Sequence, residues 1–168
     1  MQRFGKWTKW IVWVIFALYI AAVLRLTVFR GGAALYAERQ LNLVLAENLI
    51  RVWQSGNRFD FFRQFWGNIG CFVPFGFLLP LLMKRPRFLT VAAIGAGFSL
   101  AIEVTQYFSR MGVAELDDLI LNTLGVVIGY LIYRLWGMVT AKGEIAGHST
   151  PPSLRTWWGP LARNDERC

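Results

Sequence analysis

Four long runs of apolar residues, at 10–29, 66–83, 88–108 and 119–136, organise the chain. Each meets or approaches the roughly 20 residues that an α-helix needs to cross a bilayer. The pattern therefore predicts four transmembrane helices. The stretch between the first two runs is different. Leu41, Val44, Leu45, Leu49, Val52 and Trp53 recur at helical spacing, and Glu47 precedes Arg51 by one turn. That spacing predicts an amphipathic helix in the first loop, lying on the membrane interface or re-entering it. Phe59, Phe62, Phe65, Trp66 and Ile69 then lead into the second span. Beyond Trp136 the periodicity is lost, and three of the six prolines fall in the remaining stretch. The predicted fold class is therefore all-α membrane: a bundle of four transmembrane helices plus an interfacial or re-entrant amphipathic helix in the first outer loop. Residues 1–138 form the transmembrane domain, and 139–168 a flexible cytoplasmic tail whose Trp157 and Trp158 can touch the membrane surface.

Composition supports this class. With 168 residues, 55% of them hydrophobic, and a mean hydropathy of +0.41, the chain is too apolar for a typical soluble domain. The net charge of +8 would raise nucleic-acid binding in a soluble protein. Here the basic residues flank apolar spans, which fits topology anchoring and no nucleic-acid partner. Arg3, Lys6, Lys9, Lys84, Arg85, Arg87, Arg134, Lys142, Arg155, Arg163 and Arg167 fall on one side of the four-span arrangement. Arg30, Arg39, Arg51, Arg58, Arg63 and Arg110 fall on the other. Eleven against six predicts a multi-pass protein with both termini cytoplasmic. The first run exceeds the roughly 7–15 residue core of a signal peptide and is read as a retained span. Cys71 and Cys168 suit neither an internal disulfide nor a metal site, and His148, the sole histidine, lies in the polar tail.

Polar residues inside the spans carry the candidate chemistry. A charge near the bilayer centre costs about 2.5–3.5 kcal/mol on insertion scales, so it is kept for a partner or a task. Arg25 and Glu103 each lie fifteen residues from the start of their runs. At about 1.5 Å per residue both are about 22 Å across a core of roughly 30 Å, level with each other and predicted to face one hollow. Asn68 and Asn122 enter the first turns of the second and fourth spans from the same side. On the third span Gly95, Ser99, Glu103, Gln106 and Arg110 form one stripe, and on the fourth Asp118, Asn122, Gly125 and Gly129 form another. Gly125 and Gly129 make a GxxxG that favours close helix approach. The two stripes predict helices that touch at their cytoplasmic ends and open a polar cavity above. In the second span Pro74 and Pro80 crowd the carbonyls four residues earlier, at Gly70 and Gly76, which predicts a kink or an interruption. Asp117 and Asp118 suit a helix start; a divalent cation near them is the alternative, and no other cofactor is indicated.

The segments "WGNIGCFVPFGFLLP", "GFSLAIEVTQYF" and "ELDDLILNTLGVVIGY", in this order and spacing, resemble the VanZ family of small bacterial membrane proteins. The resemblance covers roughly residues 10–136 and joins Asn68, Pro74, Gly76, Pro80, Ser99, Glu103, Gln106, Asp117, Asp118, Asn122, Gly125 and Gly129, with Arg25 fitting its outline. It implies a bacterial inner-membrane location and a role in low-level resistance to teicoplanin, a glycopeptide antibiotic with a lipid tail.

Three functions fit these residues. The first is an outer-leaflet pocket for an amphiphile, a lipoglycopeptide or a cell-envelope glycolipid, formed by Arg25, Asn68, Glu103, Gln106, Arg110, Asp117, Asp118 and Asn122 among membrane lipid. The second is a membrane enzyme on a lipid-linked substrate, with Glu103 as its candidate catalytic acid or base; the location of His148 disfavours serine or cysteine hydrolase chemistry. The third is a small transporter, disfavoured because polarity is confined to the outer third of four spans. A structural charge pair between Arg25 and Glu103 is the plain alternative to all three. The sequence leaves the oligomeric state open.

Overall fold

The computed structural model describes residues 6–28 and 36–147. The tail residues His148, Trp157, Trp158 and Cys168, and Arg30 in the first loop, lie outside the described residues. The elements in order are α1 (Lys6–Val28), β1 (Gln40–Asn42), α2 (Glu47–Gln54), α3 (Arg58–Leu82), α4 (Phe88–Ser109), β2 (Val113–Glu115) and α5 (Leu116–Gly147). Four of these, α1, α3, α4 and α5, contain stretches long and apolar enough to cross a membrane. Their large exposed apolar side chains, such as Leu18, Leu26, Leu89, Leu100 and Leu135, form the outer surface expected of a protein solvated by lipid.

A core of Val23, Phe72, Phe75, Val91, Ile102, Val126 and Tyr130 joins the four helices. Phe75 stacks on Phe98 of α4 with centroids 5.3 Å apart and meets Phe16 of α1 at 5.5 Å. The closest approach is between α3 and α5. A Cβ placed on Gly125 would collide with the Ile69 carbonyl oxygen, one on Gly129 with that of Val73, and one on Gly76 with that of Val126. Backbone therefore lies on backbone, and the matched steps 69 to 125 and 73 to 129 set α3 parallel to α5. The GxxxG faces α3, not the α4 stripe to which the sequence pattern assigned it; α4 meets α5 instead where Gly95 receives the side chain of Val126.

The helices exceed the apolar runs. α3 begins at Arg58, so the aromatic lead-in is part of the span, and α5 continues past Trp136 to Gly147. α3 stays helical through both prolines, which corrects the expectation of an interruption. Next to the carbonyl that Pro74 leaves without its usual donor, the Cys71 carbonyl accepts a hydrogen bond from Tyr19 Oη of α1 at 2.6 Å.

The first loop differs from expectation as well. Only Glu47–Gln54 is helical, while Gln40–Asn42 forms a strand that pairs in parallel with Val113–Glu115, Leu41 opposite Ala114. Leu41, Leu43 and Leu45 also alternate at period two, so this short run carried both signals, and the partner strand decided between them. α2 keeps its Glu47–Arg51 ion pair, and Gly56, at φ 76°, makes the left-handed turn into α3.

Because the Val73 carbonyl is fixed within α3, Gly129→Ala forces the two helices apart and should cost about 1–3 kcal/mol. Gly97→Ala, where a Cβ meets nothing, is the control. The unfolding midpoint of the purified protein should fall for the first and hold for the second; equal midpoints would contradict the backbone contact.

Candidate functional site

The N-terminal ends of α3 and α5, the C-terminal ends of α1 and α4, and the β1–β2 pair meet at one end of the bundle. The buried polar or charged side chains among the described residues gather there or in the turns just beneath: Asn68, Ser99, Glu103, Gln106, Asp117, Asp118 and Asn122. Each has a stated hydrogen-bond partner, as burial in lipid demands.

Glu103, 6% exposed, accepts the Glu115 backbone N–H on Oε2 at 2.9 Å, which ties α4 to the strand that opens α5. The register of α3 on α5 sets Asn68 opposite Asp118, and its Nδ2 donates to Asp118 Oδ1. One turn along α5 from Asn68's partner, Asn122 Nδ2 donates to Ser99 Oγ at 2.9 Å. Gln106 Nε2 donates to the Thr27 carbonyl at 3.1 Å, tying α4 to α1. Asp117 Oδ1 accepts the Ala46 N–H at 2.7 Å; Ala46, left-handed at φ 60°, is the residue before α2. Both aspartates also lie in the first turn of α5, where the helix dipole favours negative charge. Their oxygens serve separate partners, and among the described residues no three carboxylate, histidine or thiol groups converge on a point that could hold a metal ion.

Six of the eight residues singled out from the sequence are thus buried at this end. The two arginines are not. Because Gln106 is level with Thr27, Glu103 is nearly level with Arg25, as expected from depth. Arg25, however, is exposed on the flank of α1 opposite the stripe of Tyr19, Val23 and Thr27 that faces the bundle. The expectation that it turns into the hollow with Glu103 is corrected: a match in depth left the rotation about the helix axis undetermined. Arg110 is exposed too, at a left-handed C-cap, and donates to the Ala37 carbonyl at 3.4 Å while its own carbonyl accepts the Tyr36 N–H.

Glu115 has a larger part than the sequence suggested. Its carboxylate accepts Asn48 Nδ2 at 2.8 and 2.9 Å and Gln64 Nε2 at 3.1 Å, clasping α2 and α3. Neither amide lies in a recognisable motif. Two cavities flank it. A groove of about 190 Å³, almost wholly apolar, runs between Leu41, Leu43, Leu100, Val104, Phe108 and Leu119, with Glu103 in its wall. A polar cavity of about 340 Å³ is lined by Asn48, Gln64, Gln106 and Asp118. Glu115 belongs to the walls of both. Arg39 lies over the Tyr107 and Phe108 rings at the groove, 5.7 and 5.2 Å from their centroids.

Fold and site together define a small multi-pass membrane protein whose polar chemistry is gathered at one end of a four-helix bundle. The chain belongs to the VanZ/LLP1 family, whose profile matches residues 15–137. It is 31% identical over 124 residues to Protein VanZ of Enterococcus faecium, a match covering 71% of each chain. No solved structure matches it.

Asp117→Ala leaves the Ala46 N–H without its acceptor and should loosen the turn into α2 by about 1–3 kcal/mol. Asp117→Asn keeps Oδ1 and should resemble the native chain. Amide hydrogen exchange across residues 36–57 reads the difference; equal protection in the two variants would contradict the assigned contact.

Proposed function

We propose that this chain sits in the bacterial cytoplasmic membrane with both termini inside and binds an amphiphile at its outer end, thereby contributing to glycopeptide resistance. The ligand is a lipoglycopeptide antibiotic such as teicoplanin, or a cell-envelope glycolipid. One observation carries this reading: an apolar groove and a polar cavity meet at a single shared wall, Glu115. A molecule with an acyl chain and a polar head fits that pair of spaces, and neither a purely polar nor a purely apolar ligand uses both.

Within this reading Glu103, Gln106 and Asp118 line the spaces and meet the ligand. Asn68, Asp117 and Asn122 hold the surrounding helices in register through their hydrogen bonds. Arg25 and Arg110 lie outside both walls. The orientation is supported by the sequence distribution of lysine and arginine, eleven in the terminal segments and the second loop against six in the first and third loops.

Leu119→Trp fills the groove from its wall and leaves every polar side chain of the site in place. In a teicoplanin-susceptible bacterium expressing this chain, the variant should lose protection to the level of empty vector while its amount in the membrane stays native. Full protection by the variant would contradict the proposal.

A further inference from the structure

Lipid is as apolar as the groove, so an acyl chain that enters from the bilayer gains fit but little hydrophobic free energy. Discrimination among amphiphiles therefore falls to the polar cavity. Three amides from three helices line it: Asn48 of α2, Gln64 of α3 and Gln106 of α4. Each directs its nitrogen at the protein. Asn48 donates to both Glu115 oxygens, Gln64 to one of them, and Gln106 to the Thr27 carbonyl. A backbone carbonyl only accepts, so the Thr27 contact fixes which end of Gln106 is nitrogen. Its oxygen is then committed to the other side. Gln106 is 7% exposed, and its Oε1 has no hydrogen-bond partner. A buried acceptor left without a donor is costly, and a ligand that supplies the donor recovers that cost.

We infer that the head group taken by this site is a hydrogen-bond donor, a sugar with free hydroxyls or an ammonium group, and not a phosphate monoester. The inference rests on the amphiphile reading given above. Phosphate oxygens would face the oxygens of Gln106, Glu115 and Asp118, acceptor against acceptor. Arg63 and Tyr36 also belong to the lining, but both are exposed, Arg63 pairs through one nitrogen with Asp60 at 3.3 Å, and its single positive charge faces two carboxylates, Glu115 and Asp118.

The test uses the full chain in phosphatidylcholine nanodiscs, a lipid whose head group has no N–H or O–H to donate. Radiolabelled dodecyl glucoside, dodecylammonium and dodecyl phosphate are the probes, with empty nanodiscs as background. The better of the two donor probes should bind about tenfold more tightly than the phosphate, the worth of roughly one buried hydrogen bond. The order of glucoside and ammonium identifies the source of the donor. Gln106→Met, which keeps side-chain length without the acceptor, should shrink the preference to about threefold or less. Phosphate binding as tightly as either donor overturns the inference and leaves the amphiphile reading standing, as does an undiminished preference in folded Gln106→Met. Failure of all three probes to bind saturably overturns both. The ranking is made on the native sequence, so it stands even where the variant does not fold.

Discussion

The contact on which the rest of the molecule depends is backbone against backbone, α3 on α5. Inside a bilayer the burial of apolar surface does not drive helices together, because lipid tails are an equal solvent for it. Close van der Waals contact and hydrogen bonding must do so instead. Gly76, Gly125 and Gly129 allow the carbonyls of Val126, Ile69 and Val73 to approach where any larger side chain would intrude. This fixes height and rotation at once. One consequence is that Asn68 stands opposite Asp118. Another is that α5 offers Val126 to Gly95 and Asn122 to Ser99, which brings α4 into the same register.

Above that contact the helices support a polar end that is held by carboxylates. Glu103, Glu115 and Asp117 accept, in turn, a backbone N–H of the strand before α5, two amide side chains from α2 and α3, and a backbone N–H at the entrance to α2. The acidic residues thus hold the first loop over the bundle. They also leave a cavity whose lining includes the carboxylates of Glu115 and Asp118, beside an apolar groove. A glutamate within an apolar span is accounted for by position: Glu103 accepts the Glu115 backbone N–H and forms part of the groove wall.

Much of this was legible in the sequence because lipid imposes simple rules. Apolar runs marked the four spans, and the rarity of polar residues within them made Asn68, Glu103, Gln106 and Asn122 conspicuous. What escaped were relations that one strand of text does not carry. Depth placed Arg25 beside Glu103, but Arg25 is exposed on the flank of α1 rather than buried with it. The spacing of Gly125 and Gly129 announced a close contact without naming α3 as its partner. Leu41 to Leu45 fitted two periods, and the strand at Val113–Glu115 resolved the choice from more than seventy residues away. Asn48 and Gln64 were ordinary polar residues until Glu115 gave them a role.

The central claim is that one amphiphile occupies groove and cavity together, its chain along α4 and α5 and its head beyond Glu115. The most direct measurement is photo-crosslinking with an acyl glucoside that carries a diazirine in mid-chain, followed by peptide mapping. The account expects competable labelling concentrated on Leu41, Leu43, Leu100, Val104 and Leu119. Labelling spread over the exposed face of α1, or unaffected by unlabelled competitor, would contradict it.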